Sequence, residues 1–156
     1  MAGKSDAFES SWLQLLFNNQ AITNIGDASG LRATGTAGSL YVSLHSADPG
    51  ETGSAVTSEV TTTAYNTYAR AAVARSTSGW TVSGTNPTQV ANAAAINYTA
   101  MASGTGVTAT YFGIVNTSSG AGVLLYSGQI NSGAGLAISA GITPSFAIGA
   151  LIVTED

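Results

Sequence analysis

The 156-residue chain has no cysteine and a single histidine, His45. Disulfides, iron–sulfur clusters, thiolate zinc sites and a cysteine nucleophile are therefore excluded, and so is a metal site built from several histidines. Charge is scarce as well. Asp, Glu, Lys and Arg together make up 8% of the residues, against about 25% in ordinary soluble domains. The cations are fewest: Lys4, Arg32, Arg70 and Arg75 stand beside eight acids, for a formal net charge of −4. Four scattered cations make no phosphate-binding surface, so no nucleic-acid partner is expected. A long apolar run is also missing. The least polar stretch, Ile138 to Val153, is interrupted by Gly141, Pro144 and Gly149, so it is too short and too broken to span a bilayer. Met1 to Asp6 carries no basic region leading into an apolar one, so no signal peptide is read and no membrane partner is expected. Synthesis in a cytoplasm fits these absences.

What replaces charge is glycine and hydroxyl: 19 Gly, 20 Thr and 19 Ser. That composition suits a tightly turned β protein. A folded chain of this mass exposes roughly 7,200 Å² and has core enough to stand without staples. Twelve charges on it amount to about one per 600 Å², a thin coat for a soluble monomer. Interface cores are depleted in charge. A surface of this kind is therefore compatible with extensive contact to other chains, and self-association as a dimer or trimer is expected.

Along the chain, Phe8, Trp12, Leu15 and Leu16 fall at i, i+4, i+7 and i+8, one face of a helix. Ser5 is placed to cap it, with Asp6 and Glu9 in the first turn, where acids favour the helix dipole. The reading is a helix from Asp6 to Asn19, then an arm punctuated by Gly30, Gly35 and Gly38. From Leu40 the pattern is strand and turn. Strands are expected at Leu40–His45, Tyr65–Ser76, Trp80–Val82, Gln89–Thr99, Val107–Val115, Val123–Ile130, Leu136–Ala140 and Phe146–Val153. Turns lie at Asp48-Pro49-Gly50, Gly84-Thr85-Asn86-Pro87, Asn116 to Gly120, Asn131-Ser132-Gly133 and Gly141 to Pro144. Short strands at this spacing imply an all-β, antiparallel sandwich, with a jelly roll as the expected variant. The division expected is residues 1–38 as helix and arm, and 39–156 as the β-sandwich domain.

Chemistry-bearing constellations are few. His45-Ser46-Ala47-Asp48 holds the three residue types of a hydrolase triad, but neighbours at a strand end do not converge as a triad must. It reads as a polar strand end entering a turn. Asp48, Glu51 and Glu59 match no calcium-loop spacing and read as solvated loop carboxylates. Gly120-Ala121-Gly122 and Gly133-Ala134-Gly135 open no helix, so they read as turns, not phosphate loops. The six tyrosines, at 41, 65, 68, 98, 111 and 126, are spread about one to a strand and fit a sandwich core and rim better than a sugar-stacking platform. No catalytic residue, cofactor site or metal site is expected, and no enzymatic activity. The helix face of Phe8, Trp12, Leu15 and Leu16 is the candidate partner contact, with Trp12 as anchor.

Several stretches resemble one family. Leu40 to Gly50, Thr57-Ser58-Glu59-Val60, Tyr68-Ala69-Arg70, Tyr111-Phe112-Gly113-Ile114, Gly120 to Gly128 and the ending Gly141 to Pro144 with Leu151 to Asp156 are similar to small structural proteins of tailed bacteriophages. Members of that family are described as tail-fibre-type or capsid decoration proteins. The resemblance implies a virion component and brings no catalytic residues. The first expectation drawn from it is a capsid decoration, or cement, protein on the outer capsid surface. Such a protein would bridge neighbouring copies of the major capsid protein. The alternative is a tail-associated or tail-fibre-type protein making host or glycan contact.

Overall fold

The computed structural model describes residues 3–23, 25–27 and 29–155. Its elements are α1 (Asp6–Asn18), β1 (Ser39–His45), β2 (Ala71–Ala74), β3 (Trp80–Ser83), β4 (Thr88–Asn92), β5 (Ile96–Asn97), β6 (Val107–Ala109), β7 (Tyr111–Val115), β8 (Leu124–Gln129), β9 (Leu136–Ile138), β10 (Ser145–Phe146) and β11 (Ile152–Glu155). The registers resolved are antiparallel throughout, which makes this the all-β antiparallel fold that the turn spacing implies. The chain groups into two compact units, one of residues 1–39, 73–95 and 146–156, the other of residues 40–72 and 96–145.

The first unit lays α1 on the antiparallel sheet β11-β4-β3. Ser5 caps the helix through its backbone, its carbonyl accepting from Phe8 N–H at 2.8 Å and Glu9 N–H at 3.0 Å. Asn19 ends it in the left-handed conformation (φ 55°), which Asn tolerates better than most residues. The buried stripe is Glu9, Leu13 and Phe17, spaced by four. Phe17 meets Trp80 edge-on, with ring centroids 4.9 Å apart. Across the sheet Val153 stands opposite Val90, and Val90 opposite Val82, continuing the apolar layer under the helix. Arg75 fastens the end of α1. Its Nε donates to Leu16 O at 2.7 Å, Nη2 to Leu15 O at 2.8 Å and Nη1 to Ala37 O at 3.2 Å. Those helix carbonyls lack partners within the helix itself, and a cation there also suits the dipole. The arm is held at its start by the Asn19 side chain, which bonds both the N–H and the C=O of Thr34 at 2.9 Å.

Two expected strands are interrupted in this unit. Gln89–Thr99 breaks after Asn92, leaving β4 and the two-residue β5, and Phe146–Val153 becomes β10 and β11 around a turn. One side chain explains both. Asn92 Nδ2 donates to Ala94 O and Ala147 O, each at 2.8 Å, while Oδ1 accepts from Leu151 N–H at 2.9 Å. The amide thus folds residues 147–151 onto the end of β4 and supplies the bonds a longer ladder would have made.

The second unit is built on β1, β7 and β8, with β2 at the far edge in the order β2-β1-β7-β8, and on the pair β6–β9. His45 lies opposite Tyr111, and Ser43 opposite Gly113. Between β7 and β8 the register slips, Ile114 facing Tyr126 and Val115 facing Leu124. That slip is a bulge at Leu125, the kind of irregularity that blunts a sheet edge. The expected strand Tyr65–Ser76 is a strand only from Ala71. Residues 61–68 turn instead, with Tyr65 N–H on Thr61 O at 2.9 Å and Tyr68 N–H on Tyr65 O at 2.9 Å. This drives Tyr65 and Tyr68 inward, where Tyr68 stacks on Tyr98 at 6.4 Å. The Tyr65 hydroxyl donates to Thr99 O and the Tyr98 hydroxyl to Val42 O at 3.2 Å. Val107–Val115 is likewise split into β6 and β7 at Thr110, whose N–H donates to His45 O at 2.9 Å and whose hydroxyl donates to Ser46 O at 3.0 Å.

Candidate functional site: a buried polar cluster beside a surface cleft

The densest polar chemistry of the second unit surrounds the end of β1. Alternation along Leu40–His45 sends Ser43 and His45 to the same face, and the strand is buried on both faces there, so each side chain has zero exposure. His45 Nδ1 lies 2.8 Å from Thr57 O, and Nε2 lies 2.8 Å from Ser43 Oγ. A carbonyl only accepts, so Nδ1 carries the proton, and Nε2 accepts from the Ser43 hydroxyl. Burial lowers the His45 pKa below its ordinary value. The bond to Thr57 O and the charge of Glu59 act against that, while Arg70 adds to it. The ring is therefore neutral in the fold. Room for the pair comes from the opposite strand. A Cβ on Gly113 would stand 2.6 Å from Ser43 Oγ and 2.8 Å from His45 Nε2, so only glycine fits.

Next to this pair is a charged clamp. Arg70 is nearly sealed, with 2% of its side chain exposed, and grips Glu59 with two nitrogens, Nε to Oε1 and Nη2 to Oε2, both at 2.7 Å. Its remaining donors reach Thr117 O and Thr117 Oγ1 at 3.0 Å and Gly120 O at 2.8 Å. All five guanidinium hydrogens are thus accounted for. Glu59 raises the Arg70 pKa above its ordinary value, mainly through those hydrogen bonds, against the opposing effect of burial. Tyr68 joins the group by donating to Glu59 Oε1 at 2.9 Å and accepting from Leu44 N–H at 3.0 Å. Burial is the main force that raises its phenol pKa far above the ordinary value. A cleft of about 240 Å³ opens over the clamp, lined by Glu59, Tyr68, Ala69, Arg70 and Ser118 to Gly120. A second, of about 300 Å³, lies between Gly50, Glu51 and Gly53 and the start of β8.

The Ser43–His45 pair has the bond of a nucleophile and its base, with a backbone carbonyl where a triad has a carboxylate. With both side chains sealed and Gly113 packed over them, no surface lets an acyl group meet Ser43 Oγ. Arg70, its donors spent inside the protein, offers none to a ligand. The arrangement locks loops together. It joins residues 57–59, 68–70 and 117–120 to β1.

The residues singled out in the sequence are dispersed differently. Ser46 and Asp48 do not join His45. Asp48 Oδ1 caps its own turn at Gly50 N–H, 2.8 Å away. Of the three loop carboxylates, Glu59 is the Arg70 partner, while Asp48 and Glu51 lie on the surface. Among the described residues no group of three or more His, Asp or Glu gathers as metal ligands, and no helix is long and apolar enough to cross a membrane. On α1, Phe8, Leu15 and Leu16 are half-buried and Trp12 is 36% exposed. The fully buried positions are Leu13 and Phe17, so the inward stripe lies one residue round from the candidate partner face, which stays partly exposed. Ser43 and Arg70 were not singled out for this site. Their only sequence signal is polar residues inside otherwise apolar strand patterns.

A chain whose polar side chains are used to tie its own loops, on an antiparallel framework with little surface charge, is a β protein braced from within. Comparison with known families gives its particular kind. A family model described as podophage GP4 fiber I protein gp80 matches residues 3–154. The chain belongs to that family and is a bacteriophage structural protein of the virion, as the strand and turn motifs implied. No curated protein matches it.

Proposed function

We propose that the protein is a tail-fibre component of the phage particle, a non-catalytic subunit contributing to contact with the host surface. The match of a fibre-protein family to residues 3–154 carries this reading, and favours it over the capsid cement reading that the sequence put first. The fold supports it physically. Buried clamps such as Arg70–Glu59 hold exposed, hydroxyl-rich loops such as 117–120 in fixed positions, and a rigid scaffold presenting loops suits recognition. The charge-poor exterior supports close packing with neighbouring subunits, copies of this chain among them. In this reading the half-exposed side of α1, with Phe8, Trp12, Leu15 and Leu16, faces a neighbouring chain. The test is to label intact particles with antibody to the purified protein and image them. Label at the tail is the expected result. Label spread over the shell overturns the proposal in favour of a cement protein bound to the major capsid protein.

A further inference from the structure

We propose that His45 latches the strap of residues 46–58 onto the end of β1 and lets it go when the ring takes up a proton. The strap is held mainly by polar contacts. Pro49 and Ala55 are its buried residues. At its root Ser46 N–H donates to Ser58 O at 2.9 Å, Val60 N–H donates to Leu44 O at 2.9 Å, and His45 Nδ1–H donates to Thr57 O at 2.8 Å. Farther along, Ala55 N–H donates to Gly122 O at 3.1 Å, and Gly53 O accepts from Leu124 N–H at 2.8 Å. A segment with so little buried apolar surface opens more readily than the sheet beside it.

The latch has one comfortable protonation state. A second ring proton, on Nε2, would point at the Ser43 hydroxyl 2.8 Å away, which would have to swing its own hydrogen aside. Both side chains are sealed from water, so no solvent is at hand to take up the displaced hydroxyl hydrogen. The charged and titratable groups around the ring do not rescue the cation. Glu59, paired with His45 across the strap's return, is already held by two Arg70 nitrogens and the Tyr68 hydroxyl. Arg70 repels a second positive charge, and Tyr68 is kept protonated chiefly by burial. Tyr111 lies opposite on β7, its hydroxyl accepting from Gln129 Nε2 at 3.0 Å. In the opened strap His45 reaches water and titrates near the free imidazole value of about 6.5. The ring's affinity for protons is thus lower latched than open. The latch holds fully above about pH 6.5, and the opening constant grows about tenfold per pH unit below that, until the latched ring itself titrates. His45 is the chain's sole histidine, so the imidazole titration belongs to one ring.

The experiment is hydrogen exchange of the full-length protein, read amide by amide by NMR at pH 7.5 and 5.5 and corrected for intrinsic exchange. Sub-denaturing urea is added to separate local from global opening. The expected result is an opening constant at the Ser46 and Val60 amides that rises about tenfold between the two pH values and is insensitive to urea. The β1–β7 ladder should stay better protected and respond to urea. In His45→Asn the pH dependence of the strap amides should vanish. If this variant does not fold, the wild-type profiles decide alone. Strap amides with no pH dependence beyond intrinsic exchange overturn the proposal. So do strap amides that match the ladder in protection and urea response, because the proton then acts on the whole unit and not on a latch.

Discussion

Arg70 and Glu59 offer the sharpest test of how the loops are held. Arg70→Met keeps much of the stem but removes five hydrogen bonds. It strands the Glu59 carboxylate together with Thr117 O, Thr117 Oγ1 and Gly120 O. Removing one partner of a buried pair costs about 3–5 kcal/mol. With 2% of the Arg70 side chain and 13% of Glu59 exposed, the pair lies close to that limit. Glu59→Gln keeps the shape and leaves Arg70 an uncompensated buried cation, for a loss of the same order. The double variant has no orphaned charge, so it should fall short of the summed single losses by about 2 kcal/mol. The chain supplies its own probe. All six tyrosines lie in the second unit and both tryptophans, Trp12 and Trp80, in the first. Urea unfolding followed by the tyrosine signal in near-UV circular dichroism therefore reads the clamp's unit. Single losses below about 1 kcal/mol, the range of a solvated surface pair, would refute the reasoning. Strict additivity of the two substitutions would refute it as well.

Three further outcomes follow from the packing. Leu13→Ala should cost about 2–5 kcal/mol and Trp12→Ala markedly less, read by urea unfolding; equal losses would place the inward stripe elsewhere. Gly113→Ala forces a methyl group against Ser43 Oγ and His45 Nε2, so a loss of at least about 1–3 kcal/mol is expected, and full stability would show that the pair has slack. Arg75→Ala should raise hydrogen exchange in the last turn of α1 and at the Gly38 end of the arm, while the β1–β7 ladder keeps its protection; unchanged exchange there would show that the three carbonyl contacts do not hold the helix.

The limits of α1 were legible because its cues are local: Ser5 ahead of Asp6 and Glu9, and asparagines at the far end. Its inward face was not. Glu9 shares the buried stripe with Leu13 and Phe17, and an acid on a stripe makes that face read as polar, while Phe8, Trp12, Leu15 and Leu16 look like the apolar one. Strand positions were visible where side chains alternate, as at Leu40–His45. They were over-extended where a distant side chain takes over the backbone bonds, as Asn92 does at residues 147–151. No periodicity encodes a partner 55 residues away. The polar cluster was hidden for the same reason. Glu59, Arg70 and Thr117 come together only through tertiary structure, and each reads alone as an ordinary loop or strand-end residue.

In the tail-fibre role proposed above, the fate of the four cations has a consequence for how the protein would meet a cell. Arg70 and Arg75 turn inward onto Glu59 and onto backbone carbonyls, and Lys4 is paired with Glu155 at 2.6 Å. On the surface Arg32 donates to Ser29 Oγ. The exterior is therefore neutral to acidic, and bacterial envelope polymers of negative charge exert no long-range pull on it. Encounter proceeds at the pace of undirected diffusion, and what forms afterwards is a short-range contact that added salt weakens little. Grip then depends on how many copies touch at once, because linked weak contacts multiply where a single one would dissociate.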